Sequence, residues 1–392
     1  MDLSRRKLFW TLTAFAQSQF QMQKRALTTV AFNYAAKSPL ADLQYFARFD
    51  VVVTGAILSA DQLHVLRSGN AQLVVYQWSS AHYPGEGGPA ERAWQEMLKA
   101  HADTWLLSRD PVGGAAAAPG KTAFWYDFGN SDLISALAGH IGALVQKNNY
   151  QGVFLDTLGF YSLPAQLQRE FRTRHQTRDY DRCQGSFLSK LREVLGPNVI
   201  IFTNQGYRRA EFFLPHADFD LIENSCTIMK SGGKTGFRKW FEKGAEWESI
   251  EVPMNQLIMP ASRAYPRTRF VHINYVEGDQ GTCERGAGYS YACAKLWNQI
   301  SFAAPPGVQR AIRSDLYFNN VGEPLSSSYE EDKGAGVAWR RFQNGVVAVN
   351  SSSKVYRISS LNLELADPPR GYIFLQDKKK AAARKGRELE VS

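Results

Sequence analysis

A chain of 392 residues with 44% hydrophobic and 12% aromatic side chains can fill a large packed core, enough for a barrel of roughly 250 to 300 residues plus an appendage. No apolar run reaches the ~18 residues that cross a bilayer, so no stable membrane span is expected. Of the net charge of +9, residues 1–25 carry +4 and residues 377–392 carry +3, leaving +2 between them; a nucleic-acid binder holds its basic stripe on the folded body, and that class is set aside.

The chain opens on Ser4-Arg5-Arg6-Lys7-Leu8-Phe9, followed by apolar residues to Ala16 and an Ala14-Phe15-Ala16 cleavage pattern. This is the order of a twin-arginine export signal. Residues 1–25 are therefore expected to be a leader that sends the protein to the periplasm or outside. The alternative is a short basic start that caps the fold of a cytoplasmic protein.

From there strand and helix signals alternate, which argues for an α/β fold with a parallel sheet. Leu27 to Tyr34 is predicted as the first strand, and Ser38-Pro39 as the start of the helix after it. Asp50 to Thr54 is the second strand. Ser59-Ala60-Asp61-Gln62 forms a capping box for a helix that stops at Gly69, and Gln72 to Gln77 is the third strand. Trp78 to Asn130, with its Gly/Pro/Ala-rich piece at Pro111 to Gly120, reads as loop and short helix over one end of the fold. Leu133, Ile134, Leu137, Ile141, Leu144 and Val145 keep helical spacing and predict a helix over Ser131 to Gln146.

Gly152 to Asp156, Gly-Val-Phe-Leu-Asp, is the fourth strand. Residues 163–182 are polar and helical on the surface. A core-facing helix through Phe187, Leu188, Leu191, Val194 and Leu195 breaks at Gly196-Pro197. Asn198 to Thr203 and Phe219 to Glu223 are the fifth and sixth strands. Arg269 to Tyr275 is the seventh, with Gln256 to Met259 as a rival, and the eighth is placed near Gln309 to Phe318. The expected fold is a (β/α)8 TIM barrel over residues 26–320. Beyond it, Val337–Phe342 and Val346–Asn350 flank Gln343-Asn344-Gly345, a hairpin signal. Residues 321–376 are read as a small all-β appendage and 377–392 as a disordered basic tail.

Two of these strands end on a carboxylate, Asp156 and Glu223. Barrel chemistry sits at the C-terminal ends of the strands, and two carboxyl groups at one mouth are what glycosidic hydrolysis requires: ~5–5.5 Å apart with retention, ~6.5–9.5 Å with inversion. The alternative for Asp156 is a cap on the next helix. Glu223 is harder to explain away, because a buried strand ending in an acid needs solvent, a partner or a task. Asn204 and Gln205, on the strand between, suit hydrogen bonds to sugar hydroxyls or a simple turn. Tyr34, Trp78, Tyr83, Trp125, Tyr126, Tyr161, Tyr207 and Tyr265 are candidates to lie against sugar faces; Tyr34, Trp78, Tyr126 and Tyr207 join Asn204 and Gln205 as the substrate-binding set. Asp127 reads as turn and cap, and Glu86 as an ordinary loop acid. Cys183, Cys226, Cys283 and Cys293 lack metal-ligand spacing; Cys283 and Cys293 form either a local disulfide or free thiols.

The chain resembles glycoside-hydrolase barrels related to the endo-α-1,4-polygalactosaminidases. The likeness runs through Phe32-Asn33-Tyr34, Phe49-Asp50-Val51-Val52-Val53 and Val74-Val75-Tyr76, then Tyr150-Gln151-Gly152-Val153-Phe154-Leu155-Asp156. It continues in Phe202-Thr203-Asn204-Gln205-Gly206, Asp220-Leu221-Ile222-Glu223, Gly322-Glu323-Pro324 and Trp339 to Asn350. The expectation is a glycoside hydrolase that cleaves a polysaccharide, such as an amino-sugar or galactose-type polymer; the resemblance implies Asp156 and Glu223 as its catalytic pair and transfers no substrate. Read with the residues themselves, it leads to an expected monomer that works without metal or organic cofactor. The rival expectation is a glycan-binding barrel without activity. An enzyme for phosphorylated substrates is disfavoured, because no Gly-rich phosphate loop is present.

Overall fold

The structure is a computed structural model that describes residues 28–34, 38–55, 58–84, 89–113, 121–229, 235–308, 310–366 and 369–375. The leader, the basic tail, Leu27 and Glu86 lie outside the described residues. Eight parallel strands form one sheet in sequence order: β1 Val30–Asn33, β2 Val51–Thr54, β3 Gln72–Trp78, β4 Gly152–Asp156, β5 Ile200–Asn204, β6 Phe219–Glu223, β7 Arg269–Tyr275 and β8 Ile300–Ala304. Between them run α1 Leu40–Phe46, α2 Ala60–Ser68, α3 Pro89–Ala100, α4 Ser131–Lys147, α5 Ala165–Arg174, α6 Tyr180–Leu195 and α7 Gln280–Leu296. The sheet curls until β8 faces β1, with the Phe32 and Phe302 rings 6.0 Å apart. No ladder joins these two strands among the described residues, so the molecule is a nearly closed (β/α)8 barrel.

Side chains alternate along each strand, and this period places one tier of aromatic rings inside the barrel. Phe32, Phe154, Phe202 and Phe302 meet there, with Phe154 5.9 Å from Phe32 and 5.2 Å from Phe202. Two residues further along, the same inward face carries Tyr34, Asp156 and Asn204. The apolar tier is therefore the floor on which the polar mouth is built.

Local signals explain most helix starts. Ser59 and Gln62 make the capping box at α2, at 3.3 and 3.0 Å. Asn130 Oδ1 accepts the backbone N–H groups of Asp132 and Leu133 at 2.9 and 3.0 Å to start α4.

The eighth strand is not near Gln309 to Phe318 but at Ile300–Ala304, and Asp315–Phe318 is a single 3₁₀ turn. Ile-Ser-Phe-Ala-Ala is as long as β4 and β6, but its small residues do not advertise a strand. The sequence Gln256 to Met259, the rival seventh strand, lies in helical turns.

Beyond the barrel, β9 Glu330–Asp332, β10 Val337–Phe342, β11 Gly345–Asn350 and β12 Arg370–Leu375 form an antiparallel sheet. The hairpin loop is Gln343-Asn344, and Gly345 is already paired with Phe342. Its glycine serves close approach, since a Cβ there would lie 2.2 Å from the Phe374 carbonyl oxygen. The sheet docks on α7: a Cβ on Gly371 would lie 2.2 Å from the Gly288 carbonyl oxygen. Tyr289, Cys293 and Leu296 of α7, with Trp297 just past its end, share one buried cluster with Ala338, Phe342, Val347 and Val349. The four cysteines are free thiols. Cys283 and Cys293 sit on one helix ten residues apart, ~15 Å of rise, which rules out a bridge between them.

Candidate active site

Asp156, Asn204 and Glu223 end three adjacent strands and point into the mouth together. The Asn204 side-chain amide donates to Asp156 Oδ1 at 2.7 Å and to Glu223 Oε1 at 3.0 Å. Those two carboxylate oxygens are therefore at most 5.7 Å apart, the combined length of the two bonds. The Thr157 backbone N–H also donates to Asp156 Oδ1, at 2.7 Å, and the Tyr76 hydroxyl donates to Oδ2. Three donors on two oxygens fix the carboxylate plane. Asp156 caps no helix: the 3₁₀ turn Phe160–Ser162 is preceded by Gly159, and α5 by Pro164.

Each of the three is followed by a non-glycine residue in the left-handed region: Thr157 at φ 59°, Gln205 at 56° and Asn224 at 51°. That conformation turns the chain sharply off the strand end. For a β-branched residue such as Thr157 it costs about 1–3 kcal/mol, a strain that concentrates at functional sites.

Burial pushes the Glu223 carboxyl above the usual 4.5, and the Asp156 charge pushes it further; Asn204 and Arg208 oppose both. Tyr34, Tyr76 and Tyr275 ring the pair. Burial raises all three phenols, and Asp156 adds to each. Beneath the site, Asp220 faces the other side of β6. It accepts Thr203 Oγ1 at 2.7 Å and the backbone N–H groups of Gly206 and Tyr207 at 2.8 Å each. Burial pushes its carboxyl up to about 7, against the pull of these donors. Asp220 thereby locks the turn that carries Asn204.

Of the substrate-binding candidates, Tyr34 and Trp78 lie at the mouth: Tyr76 packs against both, at 5.2 and 5.1 Å between ring centres. Tyr207 is buried beside Arg208, and Gln205 is half-buried in the turn. Tyr126 is a correction. It is 2% exposed, and its hydroxyl accepts the Trp94 indole N–H at 3.0 Å, which leaves no face for a sugar. Trp125 is buried likewise, its indole N–H donating to the Val112 carbonyl at 2.9 Å. Asp127 accepts His175 Nε2 at 2.8 Å and the Gly129 N–H at 3.0 Å, joining the Trp78 to Asn130 excursion to α5. Tyr76 and Tyr275 were missed. The signal for Tyr76 was available: it precedes Trp78 by two residues on the same strand face. Among the described residues no group of three or more His, Cys, Asp or Glu side chains could hold a metal ion.

No family model matches the chain, and no curated protein does. Among solved structures, the glycoside hydrolase domain of PelA from Pseudomonas aeruginosa is similar over 72% of this chain and 96% of that one, at 19% identity and a TM-score of 0.50. The α-amylase from H. orenii is similar over 90% of this chain and 100% of that one, at 9% identity and a TM-score of 0.50. What these likenesses establish is the fold: the chain shares its barrel architecture with solved glycoside hydrolases.

Proposed function

We propose that this protein is a glycoside hydrolase that cleaves O-glycosidic bonds of a polysaccharide with retention, using Asp156 as nucleophile and Glu223 as acid/base. The observation that carries the reading is the single Asn204 amide bonded to both carboxylates, which holds their nearest oxygens within 5.7 Å. That bound suits the ~5–5.5 Å of retaining enzymes better than the ~6.5–9.5 Å of inverting ones.

In the first step an Asp156 oxygen bonds the anomeric carbon while the bond to the leaving oxygen breaks, and that oxygen takes the Glu223 proton. In the second, Glu223, now a carboxylate, removes a proton from water. The water oxygen attacks the same carbon and Asp156 leaves. Burial and the Asp156 charge both favour the protonated form of Glu223 that the first step uses. Once Asp156 is esterified that charge is gone, so the Glu223 pKa falls as the proton leaves. The reading needs no metal or organic cofactor. A barrel that only binds glycans would have no reason to hold two carboxylates on one amide.

Export through the Ser4 to Phe9 signal would bring the enzyme to extracellular polymers. No helix among the described residues is long and apolar enough to cross a membrane. The kinship with polygalactosaminidases rests on short motifs and is proposed for the reaction rather than for the sugar.

Proton NMR of a polysaccharide panel tests the proposal. The first anomer released should have the configuration of the bond cleaved, and the opposite anomer would overturn retention. Tyr76→Phe should lower kcat by ~10–150-fold if the nucleophile's orienting bond acts at the transition state with the about 1.5–3 kcal/mol of a hydrogen bond to a charged group, and should lower Tm by no more than a few degrees. Steady-state kinetics would check it, and an unchanged kcat would remove Tyr76 from the machinery.

A further inference from the structure

Beside the mouth lies a groove of about 880 Å³, within the roughly 300–1,000 Å³ of ligand sites. One wall is the turn after β4, which carries Tyr161. The other is the turn after β5, which carries Arg208, and α5 supplies Arg172. These are the turns that follow Asp156 and Asn204, so the groove lies against the same two turns that border the mouth. Asp156 acts electrostatically on Tyr161, and Arg208 acts on Glu223.

The charges in this groove are unbalanced in a particular way. Its two acids are already paired, since Arg209 bonds Asp179 at 2.9 Å and also bonds Asp181. Arg172 and Arg208 form no ion pair among the described residues. Each lies over an aromatic face instead, Arg172 at 4.8 Å from the Phe160 ring centre and Arg208 at 5.0 Å from that of Tyr161. Arg208 spends one donor on the Tyr207 hydroxyl, but a guanidinium has five N–H donors, and one stacked this way still turns others toward a planar anion. Tyr161 is 47% exposed, so part of its surface is open to the C–H face of a sugar.

We propose that this groove is a subsite for a negatively charged sugar, so that the polymer cleaved is an acidic polysaccharide bearing carboxylate or sulfate groups. The proposal rests on the hydrolytic reading above for its polymer, and on the groove alone for its charge. A sugar ring lies on Tyr161, and its anionic group meets Arg208, with Arg172 engaging the next one. A polymer of free amino sugars would be repelled by the same pair.

Equilibrium binding to the full chain carrying Asp156→Asn, which keeps the groove and stops turnover, provides the test. The probes are hexamers of galacturonic acid, of sulfated galactose, of galactose and of galactosamine. At least one anionic hexamer should bind about tenfold or more tighter than the galactose hexamer at low salt, and which one does so tells carboxylate from sulfate. Arg172→Gln with Arg208→Gln, both at exposed positions, should erase that preference and leave galactose binding alone. Equal binding of charged and neutral hexamers overturns the proposal, as does tighter binding of galactosamine. A preference that survives the double substitution also overturns it, because attraction to the basic chain as a whole would then suffice. Anion preference with no bond cleaved in any polymer by the unsubstituted chain would refute the hydrolytic reading and leave the groove standing. Cleavage of polymers with no anion preference would do the reverse.

Discussion

Asp156→Asn is expected to lower hydrolysis by at least about 10³-fold while the thermal midpoint stays within a few degrees. Asparagine keeps the volume and can still accept from Tyr76 or Thr157, so the fold has little reason to change. What disappears is the charge and the oxygen that bonds the anomeric carbon. The new amide must also turn one N–H₂ group toward donors that now serve a carboxylate, since Asn204, Thr157 and Tyr76 all donate there. Loss of the charge removes one of the two causes that raise Glu223, so repulsion at the site falls. Asp156→Gly gives a sharper result. Added azide should restore turnover and yield a glycosyl azide of inverted configuration, which only loss of the nucleophile explains. Reducing-end release with melting curves checks the first variant, and NMR of the azide product the second. Full activity in Asp156→Asn would end the assignment.

The strands that build this site were legible because buried parallel strands are continuous apolar runs, and an acid that ends such a run stands out. Gly-Val-Phe-Leu-Asp and Phe-Asp-Leu-Ile-Glu have that form, and the structure ends both at the mouth. β8 was illegible for the converse reason: Ser301, Ala303 and Ala304 leave Ile-Ser-Phe-Ala-Ala without a run of large apolar side chains, and the small residues let α7 pack close against it. α7 itself is rich in Gly and Ala because it is pressed between two sheets, and small residues give no amphipathic stripe. Aromatic density pointed to the mouth, yet density does not say which way a ring faces. Tyr126 turns toward Trp94 in the Trp78 to Asn130 excursion, whereas Tyr76, inside a strand, turns toward Asp156. The polar run at 163–182 reads as a solvated face, and half of it is. The pairing of Arg209 with both acids, which leaves Arg172 and Arg208 over, depends on the turn after β5 folding onto the start of α6. No spacing rule encodes that contact.

Glu223 should set the alkaline limb of the pH–rate profile. Its carboxyl titrates above the usual 4.5, through burial first and the Asp156 charge second. A general acid works only while protonated. The acid function is therefore present below the raised pKa and is lost as pH rises through it, at a higher pH than an ordinary glutamate would give. Glu223→Gln cannot transfer a proton at any pH, so its profile should lose that limb, and its rate on polysaccharide should fall by ~10²–10⁴-fold. The loss should depend on the leaving group. An aryl glycoside whose phenolate departs without a proton escapes the first requirement, so glycosylation of Asp156 survives while the second step stalls for want of a base. A burst of phenolate followed by slow turnover is the expected trace, and added azide should relieve the stall and give a product of retained configuration. An alkaline limb that persists in Glu223→Gln would move the proton to another group. Equal losses on polymer and aryl substrates would show that the variant had damaged the site rather than its acid.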